Sequence, residues 1–438
     1  MNRLKQLWGI LRSSFWFVPS LIVTVSIVLA VALIGVDFAE SEQWLARWPR
    51  LFGVGADGAR GMLSTIAGSM MTVVGVTFSM VLMTLALASN QYTSRILRNF
   101  MSDRVMQVVL GVFAGIFTYC LIVLRTIRSG EDGVFVPSLA VSFSVVLAMG
   151  GIGILIFFIH HIAASIQAAN IIAAVADETM LAVDRLFPER FGDGRVDDDE
   201  DVPAPPPLPA WDWQPVPARG NGFIQSLDNA TLLRLARENK TVVRMERAIG
   251  EFVIHGTALA SIDLEDPPGK EIITALQAAY TIDRHRTVEQ DSAFGIRQIV
   301  DMALKALSPG INDTTTAVMC VDYLSAILAR LASRPISPSH RYEEGELRVV
   351  TKGPSFESLL SDALDQIRRN ATGNVTILSR ILEALQLLAG LTASPRRRQA
   401  LRGQMQQIAE LVARTVDSTR DREKIEAHLM RLSSILED

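Results

Sequence analysis

Four stretches of this chain contain no Asp, Glu, Lys or Arg: those between Arg12 and Asp37, Arg60 and Arg95, Arg104 and Arg125, and Asp132 and Asp177. A helix on a water-soluble surface carries charge on its outer face every few residues, so charge-free windows of 20 to 44 residues are not surface helices. About 20 apolar residues cross a bilayer core of roughly 30 Å, and helical backbone satisfies its own hydrogen bonds there. The windows therefore predict four transmembrane helices, at about residues 14–36, 62–90, 104–126 and 134–176.

The second and fourth windows are longer than a bilayer requires. At 1.5 Å per residue they would make helices of roughly 51 and 66 Å, which should project beyond the lipid. The second ends in Ser89-Asn90-Gln91-Tyr92, and the fourth runs through His160, His161, Ser165, Gln167 and Asn170 to Asp177-Glu178. At the amino end, Arg3, Lys5 and Arg12 precede an apolar run to Val36, which is long for a signal h-region and lacks a small-residue cleavage site. An uncleaved first helix is expected.

Loop charge barely orients the bundle. Arg3, Lys5, Arg12, Arg95, Arg98 and Arg104 fall on one side, and Arg47, Arg50, Arg60, Arg125 and Arg128 on the other. Only two cysteines occur, Cys120 and Cys320, which fits a reducing compartment for the polar half, and an even helix count puts both termini on one side. The expectation is a multi-pass membrane protein with both termini in the cytoplasm. A formal charge of −4 gives no indication of nucleic acid as a partner.

The transmembrane domain is taken as 1–185. An acidic then proline-rich linker, 186–220, follows, in which Trp211 and Trp213 offer anchors to a neighbouring surface. Short alternating runs punctuated by Gly250 and Gly256 predict a small β module over 221–266, of barrel-sandwich type. No lysine occupies its turns, so it is not a swinging-arm carrier. Residues 267–438 read as a helical domain, with helices over Asp291–Leu307 and roughly Thr314–Ala332 and a short strand over Leu347–Thr351. The expected fold class is thus a four-helix transmembrane region joined to a cytoplasmic α+β part.

Several runs carry a family resemblance: "TFSMVLMTLALASNQYTSRILRNF", "FIHHIAASIQ", "GFIQSLD", "GEFVIHGTALA", "QDSAFGIRQIVDMALKALSPGINDTTTA" and "CVDYL". With the four apolar windows they resemble a bacterial family of predicted membrane proteins, domain of unknown function 2254. The resemblance covers nearly the whole chain, and Ser-Pro-Gly-Ile-Asn-Asp is its most specific signature. Thr314 stands where that family usually has proline after Asn-Asp, and Tyr92-Thr-Ser-Arg95 where it has Ser-Pro-Arg. The resemblance implies architecture and no activity.

Three groups of residues are candidates for function. On the second helix Ser64, Gly68, Thr72, Gly75 and Ser79 recur at helical spacing, flanked by Phe78 and Met83. Small residues permit close helix packing; in a ring of subunits the same face would line a narrow pore with a hydrophobic constriction. Further along, His160, His161, Gln167 and Asn170, with Arg95 and Arg98, would form an inner vestibule, where a histidine could respond to pH. The alternative is polar residues marking the lipid boundary and arginines anchoring topology. Absence of intramembrane charge disfavours an ion-coupled carrier.

The third group is the turn around Ser308, Asn312, Asp313, Thr314 and Thr315. Pro309-Gly310 stops one helix and Asn312 or Asp313 can cap the next, leaving the threonines as candidates for a small ligand. No phosphate loop, nucleophile elbow, metal-ligand spacing or acid/base constellation appears, so no enzyme, cofactor or metal is expected. Expected partners are membrane lipid, further copies of the chain, and a cytoplasmic protein or small ligand.

Overall fold

The structure is a computed structural model that describes residues 16–39, 55–91, 103–128, 135–165, 167–187, 212–334, 336, 340–343 and 345–437. Two compact units divide the chain, 1–167 and 168–438. Arg95, Arg98, Trp211 and most of the linker lie outside the described residues.

Among the described residues the first unit holds four helices, α1 (Phe17–Ala39), α2 (Ala56–Gln91), α3 (Arg104–Thr126) and α4 (Ser138–Ser165). The third is the hub, packing against each of the others. It can approach α1 closely because Gly111 and Gly115 present bare backbone one turn apart. A Cβ at Gly111 would lie 2.9 Å from Pro19 Cα, and one at Gly115 would lie 2.5 Å from Ser26 Oγ. Where hydrophobic force between helices is absent, as in lipid, such close approach supplies dispersion contact.

Polar groups in this unit close on backbone. Asp103 accepts from Val105 N–H and caps α3. Asp37, at the end of α1, accepts from Leu139 and Ala140 N–H at 3.2 Å each, so a carboxylate sits at the positive end of α4. The buried Tyr119 hydroxyl donates to Ala140 O at 2.8 Å.

The fourth window does not form one helix to residue 176. The chain leaves α4 after Ser165 and begins α5 (Ala168–Leu186), which belongs to the second unit. Nothing in "IHHIAASIQAANIIAA" breaks a helix by composition, so periodicity could not locate the break.

In the second unit the strands extend well beyond 221–266. β1 (Trp213–Pro217), β2 (Gly222–Leu227), β3 (Val243–Met245), β4 (Phe252–Val253), β5 (Ala258–Asp263), β6 (Tyr280–Asp283), β7 (His340–Glu343) and β8 (Glu346–Val350) build two sheets. One has the order β1-β5-β3-β8-β7, the other β4-β2-β6. The expected barrel-sandwich module is therefore not self-contained. It takes β1 from the expected linker, β6 from a segment expected to be helical, and a hairpin, β7–β8, from more than seventy residues beyond its expected end at 266, through a parallel β3–β8 pairing. Helices α6 (Asn229–Glu238) and α7 (Lys270–Ala279) close its core around Ile224, Leu232, Val243, Leu259, Ile262 and Leu276.

The helical part comprises α8 (Ser292–Ala306), α9 (Thr314–Ala332), α10 (Phe356–Asn370), α11 (Val375–Leu391), α12 (Pro395–Thr415) and α13 (Thr419–Glu437). By length and composition five described helices could cross a membrane: α1 to α4 and α9. The last carries Asp322 and Arg330 and packs against α5, α8, α10 and α11 within its own unit.

Candidate functional site

The two faces of α2 differ in kind. Leu63, Ala67, Met70, Thr77, Val81 and Thr84 are buried, whereas Ser64, Gly68, Thr72, Gly75, Ser79, Phe78 and Met83 are all exposed. At 3.6 residues per turn the small-residue line runs roughly 150° around the helix from the buried one. Nothing lies within 4 Å of where a Cβ would stand at Gly68 or Gly75. Thr72 donates to Gly68 O at 3.0 Å, so its hydroxyl already has a partner on the same helix. Among the described residues the sequence-derived stripe is thus a surface that its own unit leaves uncovered.

At the end of α4, His160 and Gln167 are exposed, while His161 is partly buried. His161 Nε2 lies 2.7 Å from Asp103 Oδ2, and its ring stacks on Phe157. The carboxylate that caps α3 therefore also ties α3 to α4. Sequence reading singled out the histidine and missed Asp103, its partner 58 positions away. Asn170 is exposed on α5, in the second unit.

The turn between α8 and α9 is built by capping. Asn312 adopts φ +50°, and Asp313 N–H donates back to Ala306 O at 2.8 Å. Asp313 is the cap residue of α9: its carboxylate accepts from Thr316 N–H at 3.0 Å and Thr316 Oγ1–H at 2.6 Å. Those two bonds, the hydroxyl's above all, hold its carboxyl below the usual carboxylate range. Thr314 Oγ1 accepts from the Asn374 side chain at 3.3 Å, and Asn374 itself caps α11. Two of the three threonines are accounted for; Thr315 is exposed. Ser308 Oγ–H donates to Lys305 O. A carboxylate already occupies the start of α9, where an anion would otherwise be drawn.

The helices joined by this turn both pack on α5. Gly295 of α8 faces Thr179 of α5 so closely that any Cβ there would overlap Thr179 Oγ1. Asp184 of α5 receives two arginines, Arg330 of α9 at 2.5 Å and Arg334, just beyond the end of α9, at 2.9 Å. Gly295 stands within the quoted "QDSAFGIRQ" run, but its facing Thr179 is 116 positions upstream, and no periodicity links the two.

A second capping aspartate contrasts with Asp313. Asp291, only 5% exposed, accepts from Phe294 N–H and is clasped by Arg286 Nε at 2.8 Å and Nη2 at 3.0 Å. Burial raises its carboxyl, and Arg286 only partly offsets that. Gly250, at φ +85°, lies against the same carboxylate, where a side chain would collide. Arg244 lies 4.2 Å from the Trp213 ring centroid, which anchors β1 as expected of one of the linker tryptophans. Among the described residues no group of three or more His, Cys, Asp or Glu is placed to hold a metal.

A family profile described as "Predicted membrane protein (DUF2254)" matches residues 12–387. The chain is 32% identical over 445 residues to uncharacterized protein Rv1290c of Mycobacterium tuberculosis, an alignment covering 100% of this chain and 83% of that protein. Uncharacterized protein Mb1321c of Mycobacterium bovis matches equally, with the same identity and coverage. No solved structure matches the chain. The chain belongs to the DUF2254 family of predicted membrane proteins.

Proposed function

We propose that the chain forms a homo-oligomeric pathway for small ions in the bacterial inner membrane, gated by its second unit from the cytoplasm. In this reading α1 to α4 span the bilayer and α9 does not, because α9 is amphipathic and packed on several sides by its own unit. The observation that carries the proposal is the uncovered face of α2, where small and hydroxyl side chains stand opposite the intramolecular contact. Copies of that face around an axis would enclose a narrow path, with Phe78 and Met83 at its constriction. Arg95 and Arg98 would raise the local concentration of anions at its mouth.

Gating needs a mechanical link, and α5 supplies one. Only Ile166 and Gln167 separate it in sequence from α4, yet it is built into the helical unit through Thr179 and Asp184. Reconstituted protein in planar bilayers should show unitary currents that T72W or S79F reduces at least several-fold. Silence across voltage, tension and pH would overturn the proposal. The same embedding of α5 supports a second reading, a membrane-anchored sensor or scaffold that binds a cytoplasmic protein or small ligand. That reading predicts a ligand-dependent shift in thermal unfolding of the full-length protein without any current.

A further inference from the structure

We propose that two buried arginines, Arg334 and Arg397, form a lock in series that sets how α5 is held, so that α12 acts on the end of α5 through the backbone that carries Arg334. The inference rests on reading α5 as the coupling helix.

Arg334 lies just beyond α9 and is 7% exposed. Its Nη1 donates to Phe187 O at 2.8 Å and its Nη2 lies 2.9 Å from Asp184 Oδ1, so it grips both backbone and side chain where α5 ends. Arg397, in the first turn of α12, is 5% exposed. It donates from Nη1 to Leu331 O at 3.3 Å and Ala332 O at 2.7 Å, and from Nη2 to Arg334 O at 2.9 Å. Its guanidinium also lies 5.3 Å from the Phe356 ring centroid on α10.

The last carbonyls of a helix have no intrahelical donor. Arg397 supplies donors to those of α9, and in doing so fixes the backbone from which Arg334 reaches α5. A planar guanidinium fork suits two acceptors at once, and a lysine cannot replace it. Buried charges are strongly disfavoured without their partners, so the arrangement is either made or broken and does not stretch gradually. That is the behaviour required of an element with two states.

Asp184 provides an internal control. Its other partner, Arg330, is 42% exposed at the side chain, and an ion pair open to water contributes little. The two routes to one carboxylate should therefore differ in weight.

Hydrogen exchange followed by mass spectrometry on the full-length protein in micelles tests the lock. R397K should speed exchange in the α5 segment 179–187 by about tenfold, whereas R330A should change it by about twofold or less. R334K, which alters the lock from its other end, should speed the same segment and leave α12 at its wild-type rate. The proposal is overturned if R397K speeds exchange only at the α9 end and in α12, if R330A matches R397K, or if acceleration is uniform across α8, α9 and α11. The readout measures no current, so a protein silent in bilayers with the expected exchange pattern retains the lock and loses the channel.

Discussion

The two units hold their helices together by opposite means. In the first, α1 and α3 meet where atoms are missing, at Gly111 and Gly115, and among the described helices Asp103 and Asp37 are the side chains seen at helix starts. In the second, helix starts are capped one after another, by Asp228, Asp291, Asp313, Ser355, Asn374 and Ser394. Buried arginines complete the carbonyl ends as well. The difference follows from the surroundings. Where water competes for every exposed N–H, a cap fixes the helix boundary; where lipid surrounds the helix, packing distance decides association.

The exception in the second unit is Gly295, which uses the missing-atom device at the α5–α8 crossing. It gives the largest expected effect. Gly295→Leu should destabilise the second unit by about 3 kcal/mol, since the obstacle is the Cβ and Oγ1 of a stiff β-branched threonine. Thermal unfolding with a probe in that unit checks this, and an unchanged midpoint would mean the crossing is looser than it looks. Next comes Gly111→Leu, expected to weaken the α1–α3 contact by about 2 kcal/mol because Pro19 backbone stands in the way. Gly115→Ala should be milder, its obstacle being the Ser26 hydroxyl; stability against denaturing detergent would rank the two.

Removing a cap tests the other half of the comparison. Asp313→Ala should cost about 1 kcal/mol of second-unit stability, read by chemical denaturation, and should leave the first unit unchanged. The smallest effect is one of pH. Asp313, with its depressed carboxyl, contributes stability that is complete above the ordinary carboxylate value of about 3.9 and is lost as pH falls through its folded value. Asp291 runs the other way. Its raised carboxyl keeps the proton longer in the folded state, so its contribution falls as pH rises through the carboxylate range. Asp313→Asn should therefore flatten the acid limb of the stability profile between about pH 5 and 2, an effect that unfolding midpoints across that range would reveal.

These contrasts also mark what could be read from the sequence. Local signals were legible: charge-free windows marked the apolar helices, an apolar stripe located α8, and the Pro-Gly stop with a capping Asn or Asp located the turn and the start of α9. Features created by distant pairing were not. The β7–β8 hairpin joins β3 across more than a hundred residues, and the break before α5 carries no Gly or Pro that would mark it. Among candidate residues, the threonine turn resolved into caps once Asn374 was seen beside Thr314. The α2 stripe was legible as a pattern, and only the fold showed that it faces away from α3. His161 was legible as a candidate, but Asp103 comes to it only through the packing of α3 on α4.

The most direct test of the central claim is water access along that stripe. Single cysteines at Ser64, Gly68, Thr72, Gly75 and Ser79, introduced in intact membranes, should react with a small charged thiol reagent, while Cys120 and Cys320, both buried, stay silent. Reaction along the stripe, with none at cysteines placed at Leu63, Ala67 or Met70 on the buried face, is the result expected of a pathway. A stripe as unreactive as the buried face would contradict it, and would leave α2 as a helix that meets only lipid or protein.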